Sequence, residues 1–204
     1  RAQPPRRMAW HLLGADMRIS SVVPVALVVS CLVGTTPAAA QLDPTCAAVT
    51  PARLRLRKLD HALGGQRVLF RGVMPIAVGT GIDPSATGLR FLMADDAGTV
   101  MSDVTVPGGA PTPTQPGWLG NRIGGAWSFV DRQGSLGGLR RVLVRRSSTS
   151  PTAKVLVYGQ DMSFGAPVRH VYVHVYLTTD TGGVVCGSRY FHELGCTYRN
   201  QGGK

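Results

Sequence analysis

The sequence predicts an all-β protein, most simply a two-sheet antiparallel β-sandwich, with a closed β-barrel as the alternative. Between Arg53 and Tyr190 the apolar residues recur with period two. Clusters of Gly, Asp and Pro punctuate them at short intervals. No stretch in that region carries the 3.6-residue periodicity of an amphipathic helix, which leaves sheet packed on sheet as the way to bury the apolar faces.

The strands follow in order. RLRLRKL (53–59), RVLFRGVM (67–74), LRFLMA (89–94) and TVMSDVTV (99–106) come first, then AWSFVD (126–131) and LRRVLVR (139–145). AKVLVYG (153–159), VRHVYVHVYL (168–177) and GVVCGSRYF (183–191) complete the set. ALGGQ (62–66), ADDAG (94–98) and TDTGG (179–183) lie between successive strands and supply residues that tolerate positive φ, so each reads as a hairpin turn. Residues 107–125, PGGAPTPTQPGWLGNRIGG, hold four prolines and six glycines and read as a long crossover loop within the domain. Trp118 in that loop either pins it to the sandwich or stands exposed as a ligand platform, whereas Trp127, alternating with Phe129, is core.

The most strictly alternating run is HVYVHVYL (170–177), which places Val171, Val173, Val175 and Leu177 on one face and His170, Tyr172, His174 and Tyr176 on the other. The valines belong to the core, so the His/Tyr row is expected outward and half-solvated. His170 and His174 sit about 13 Å apart along a strand. With zinc–nitrogen bonds of about 2 Å they cannot share one metal. Exposed histidines touching an anion would strengthen its binding below about pH 6.5.

Ahead of the strands, Met17-Arg18, the apolar run Ile19–Val33 and the small-residue site before Gln41 read as a secretory signal peptide over 17–40, cleaved after Ala40. Residues 1–16 are then an upstream extension without function, 41–52 a lead-in and 53–204 the sandwich domain. Pro24 and the shortness of the run argue against a membrane-spanning helix. A competing cleavage before Cys31 would make the chain a lipoprotein anchored through that residue. The expected location is therefore outside the cytoplasm, secreted or in the cell envelope.

The chain is basic, with 22 Lys and Arg against 11 Asp and Glu and a formal charge of +11. Nearly all the cations are arginine, whose fork suits phosphate, sulfate and carboxylate. Arg53, Arg55 and Arg57 share one strand face, and Arg141 and Arg145 another, so these stripes are candidate contacts for an anionic polymer, with Trp118, Tyr172 and Tyr176 as candidate ring platforms. Nucleic acid is not expected as a partner, because export and the lack of any helix-turn-helix, zinc-finger or aromatic–glycine sheet signature argue against it. Of the cysteines that follow the leader, Cys186 and Cys196 form the expected bridge, closing a C-terminal hairpin. Pairing of Cys46 with one of them is the other arrangement.

Catalytic signals are lacking. There is no G-x-S-x-G, H-E-x-x-H or phosphate-binding glycine loop, and Glu193 is the sole glutamate. Asp95, Asp96 and Asp103 lack EF-hand spacing and suit a turn better than calcium. No metal or other cofactor is expected, and no enzymatic activity. The leader, Cys46, RLRLRKL, GLRFLMADDAGTVMSDVTVPGGA, the W-S-F-V-D strand, GGLRRVLV and the closing V-V-C-G segment together resemble a group of exported bacterial proteins with one β-rich domain. The resemblance implies an exported β-sandwich with a C-terminal disulfide and brings no activity with it. The functional expectation is an exported, non-enzymatic envelope or extracellular protein that binds anionic polymers. A carbohydrate-binding module using exposed aromatics is the alternative. The sequence specifies no oligomeric state.

Overall fold

The computed structural model describes residues 45–59, 64–121, 125–146, 149–164 and 170–192. Among these residues eleven strands and one short helix follow in order: β1 (Ala47–Ala48), β2 (Ala52–Arg57), β3 (Gln66–Pro75), α1 (Pro84–Thr87), β4 (Leu89–Asp95) and β5 (Val100–Val106). Then come β6 (Gly117–Asn121), β7 (Ala126–Val130), β8 (Leu139–Arg145), β9 (Thr152–Met162), β10 (Val171–Thr178) and β11 (Val184–Phe191). They build a five-stranded sheet, β1-β11-β10-β4-β5, and a six-stranded sheet, β2-β3-β9-β8-β7-β6. Neither closes on itself, so the fold is the sandwich and not the barrel. All pairings are antiparallel except β1 with β11.

Period-two alternation becomes burial directly. Val171, Val173, Val175 and Leu177 point inward from β10, and Leu54, Leu56, Val68, Phe70, Val142, Val144, Val155 and Val157 meet them from the six-stranded sheet. Phe70 carries contact across the layers, its ring 5.9 Å from Phe91 and 6.4 Å edge-on from Phe191. All nine strands expected from the pattern form. β6 is an addition inside the stretch read as a continuous loop: Gly120 adopts φ +120, and a Cβ there would lie 2.1 Å from the Ala126 carbonyl, so glycine lets the strand approach β7.

The segment after Cys46, expected as a lead-in, is part of the sandwich. β1 pairs with β11, Val49 N–H bonds Ser188 O (2.9 Å), and Thr50 N–H bonds Val73 O (2.8 Å) in the opposite sheet. Val49 thus crosses between the layers. Gly72 and Gly187 make room for it, since a Cβ on either would meet the Val49 side chain at 2.4 and 2.7 Å.

That crossing also corrects the cysteine assignment. Cys186 is bonded to Cys46, with the two Cα atoms 4.8 Å apart and a sequence separation of 140. The expected Cys186–Cys196 bridge is therefore not formed, because the parallel pairing of β1 brings Cys46 beside Cys186 at the sheet edge. Cys196, like Cys31 and all of residues 17–40 expected as a leader, lies outside the described residues. Among the described residues no helix is long and apolar enough to cross a membrane.

Candidate functional site

Each sheet has one face turned away from the core, and their chemistry differs. Register places Arg53, Arg55 and Arg57 of β2 opposite Arg71, Leu69 and Arg67 of β3. β3 in turn sets Arg71, Leu69 and Val73 opposite Leu156, Tyr158 and Lys154 of β9. Those three stand opposite Leu143, Arg141 and Arg145 of β8. Directly opposed residues in antiparallel strands share a face. All these side chains therefore emerge on the outer face of the six-stranded sheet. The two stripes expected from sequence, Arg53/Arg55/Arg57 and Arg141/Arg145, belong to one surface, and Arg67, Arg71 and Lys154 join them.

Among the described residues no aspartate or glutamate occupies a paired strand position on this face, Asp161 being the unpaired residue of the β9 bulge. Asp161 and Asp131 have other partners, and Asp60, in the connection between β2 and β3, lies outside the described residues. Asp161 pairs with Arg140 at 2.7 Å. Asp131 is 3% exposed and accepts the Ser135 hydroxyl and the backbone N–H groups of Gln133, Gly134 and Leu136. Among the described residues none of the face's cations forms an ion pair, and the Arg67 Nε, buried, has no hydrogen-bond partner. Three cross-strand pairs are like-charged: Arg53 with Arg71, Arg57 with Arg67, and Arg145 with Lys154. Such pairs cost stability.

Between these cations the surface is apolar and concave. A groove of about 480 Å³ runs over β2, β3, β9 and β8, with Leu143, Leu156 and Val73 half-buried along it and Arg53, Arg71, Arg145 and Lys154 around it. A smaller hollow of about 70 Å³ adjoins it, formed by Arg53, Arg55, Leu69 and Arg71. Beyond β8 the same face carries two exposed apolar side chains, Leu119 (56%) and Val130 (38%).

The other outer face answers the HVYVHVYL pattern differently from expectation. Tyr172 lies opposite Tyr190 of β11 and their rings are 4.3 Å apart; His170 stacks on Tyr190 at 5.6 Å, and His192 meets Tyr190 edge-on at 4.3 Å. Partial burial, Tyr172 and Asp96 together hold the Tyr190 phenol above the ordinary tyrosine range. At the other end, the Arg90 guanidinium lies over the Tyr176 ring at 5.6 Å while its Nε and Nη2 donate to Asp103 (2.8 and 2.6 Å). Asp103 is thus held below the usual carboxylate range by the Arg90 hydrogen bonds.

Several expected site residues move as a result. His174, expected outward and half-solvated, is 2% exposed: β10 is flanked on both sides, with Leu92 and Ser188 opposite it, and Tyr176 stacks on its ring at 6.0 Å. It cannot meet a polymer. Trp118 is also 2% exposed, packs on Phe129 at 5.7 Å and donates its indole N–H to Pro107 O at 2.8 Å, so it is the pin of the proline-rich segment and not a platform. The His/Tyr row and the arginine stripes stand on different sheets and form no common site.

No family model, curated protein or solved structure matches this chain.

Asp95 accepts the Thr99 N–H at 2.7 Å, a turn role, and Asp103 is committed to Arg90. Among the described residues no group of three His, Cys, Asp or Glu side chains is placed to hold a metal ion. Sequence reasoning missed Arg67 and Arg71, though their four-residue spacing in RVLFR already puts them on one strand face, and Lys154, which no stripe of its own strand announces. Tyr190 and His192 join the aromatic group only through the register of β11 against β10.

Proposed function

We propose that the protein is an exported, non-enzymatic β-sandwich of the cell envelope or extracellular space that binds anionic polymers through the outer face of its six-stranded sheet. One observation carries this reading: cations from β2, β3, β8 and β9 converge on a single surface whose paired strand positions, among the described residues, hold no carboxylate, and three of their cross-strand pairs are like-charged. A sheet needs no such arrangement for folding, and opposed like charges weaken it. A polyanion removes the repulsion and gains from counterion release. The disulfide between Cys46 and Cys186 supports an oxidising location.

The test is retention of the Gln41–Lys204 domain on polyphosphate, an acidic polysaccharide and a neutral glycan across a salt series. Binding to both polyanions should fall steeply with salt, and replacement of Arg53, Arg71 and Arg145 by Gln should flatten the slope. Equal retention on the neutral glycan at all salt concentrations would reject the reading.

The alternative, neutral glycan recognition by aromatics, keeps one support, the ring group Tyr172, Tyr190, His170 and His192 on the five-stranded sheet. Stacking of sugars there would survive high salt and be lost in Tyr190→Ala, with the arginine variants unaffected.

A further inference from the structure

Polymer binding needs only charge, yet the groove on the basic face offers more. Its floor is hydrocarbon, from Leu143 and Leu156, half-buried between Arg71 on one side and Arg145 with Lys154 on the other. Four strands at about 4.8 Å spacing make it about 14 Å across, wider than one phosphate needs. Past β8 the apolar character continues to Leu119 and Val130, both exposed, with only Ser128 between Leu143 and Leu119 in the register. A surface that is cationic over β2, β3, β9 and β8 and carries the exposed apolar side chains Val130 and Leu119 on β7 and β6 is complementary to a molecule that is anionic at one end and hydrocarbon at the other. An ordinary polyanion would cover the arginines and leave the leucines facing water.

We propose that this groove binds the anionic lipid of a membrane surface: Arg53, Arg71, Arg145 and Lys154 take the phosphate-bearing headgroup, and Leu143, Leu156 and the Leu119/Val130 strip take the adjoining acyl region. The inference rests on the polyanion reading of the same face and adds the identity of the ligand class. Arginine forks bind phosphate oxygens bidentately, and their stems lie along apolar surface while the heads reach outward. Apolar burial does not respond to screening as charge does. The two contributions therefore separate experimentally.

The experiment uses the Gln41–Lys204 domain with three probes: vesicles of phosphatidylglycerol mixed with phosphatidylcholine, vesicles of phosphatidylcholine alone, and soluble polyphosphate. At low salt both anionic probes should bind. At 0.5 M salt, roughly where the Debye length falls to about 4 Å, polyphosphate binding should be lost and the anionic vesicles retained. A double variant, Leu143→Thr with Leu156→Thr, keeps strand-forming residues and should weaken vesicle binding about tenfold at high salt while leaving low-salt polyphosphate binding intact. Intact polyphosphate binding verifies that the variant is folded. If it is lost, Leu119→Ser, at an exposed position, serves in its place and should weaken vesicle binding at high salt in the same direction. Vesicle and polyphosphate binding that fall in parallel with salt, in wild type and variant alike, would overturn the lipid inference and leave the polyanion reading standing. No binding to either anionic probe at low salt would overturn both.

Discussion

Arg145 of β8 and Lys154 of β9 stand directly opposite one another on an exposed face, two cations paired across adjacent strands with no ion-pair partner among the described residues. Arg53 and Arg71 repeat the arrangement two strands away. Directly opposed like charges destabilise the sheet that carries them. Removing one should therefore stabilise the fold while weakening binding. Arg71→Gln and Arg145→Gln are expected to raise the urea midpoint slightly at low ionic strength, with the gain vanishing in high salt, and to lower affinity for polyphosphate. Variants that lose stability and binding together would mean that the arginines hold the sheet together.

The Cys46–Cys186 bond ties the first strand to the last across a separation of 140 residues. Loop-closure entropy for so long a span is about 4–5 kcal/mol, of which native-state relaxation commonly returns a part. Cys46→Ser is expected to lose about 2–5 kcal/mol in denaturant unfolding. A non-reducing peptide map should give a Cys46–Cys186 cross-linked peptide, and a Cys186–Cys196 peptide in its place would contradict the pairing of β1 with β11.

Asp131 organises the β7–β8 turn. Burial alone would raise its pKa, but the Ser135 hydroxyl and the Gly134, Leu136 and Gln133 N–H groups outweigh it, and the carboxyl ends below its ordinary range. A folded pKa below the unfolded value of about 3.9 contributes stability that is complete above that value. It is lost as pH falls through the depressed folded value. Asp131→Asn should cost about 1–3 kcal/mol at neutral pH, and its stability should decline less than that of wild type between pH 4 and pH 2. Equal acid sensitivity in both would remove Asp131 as a source of that slope.

Trp118 tests the division between packing and recognition. Trp118→Phe removes the bond to Pro107 O and should cost about 1 kcal/mol, while Trp118→Ala should cost about 3–5 kcal/mol through the cavity beside Phe129. Polymer binding by folded Trp118→Phe should match wild type. A binding defect without a stability defect would restore Trp118 to the site.

Period two is a local property, and it told each strand which of its residues face together: Val171 with Val173, Arg53 with Arg55, Tyr172 with Tyr176. Turn chemistry is equally local, as in ADDAG and TDTGG. The sandwich class, the nine strands, the hairpins and the arginine stripes were legible for that reason. What no strand states is its neighbour. Only the pairing of β2 with β3, and of β9 with β8, gathered the stripes onto one basic surface and added Arg67, Arg71 and Lys154 to them. Only the assignment of β10 to the other sheet separated the His/Tyr row from those arginines and buried His174. The partner of Cys186 was decided in the same way, by a two-residue parallel strand too short to carry a pattern. Alternation sets the faces of a strand at the range of two residues, whereas the composition of a surface depends on contacts between strands far apart in the chain.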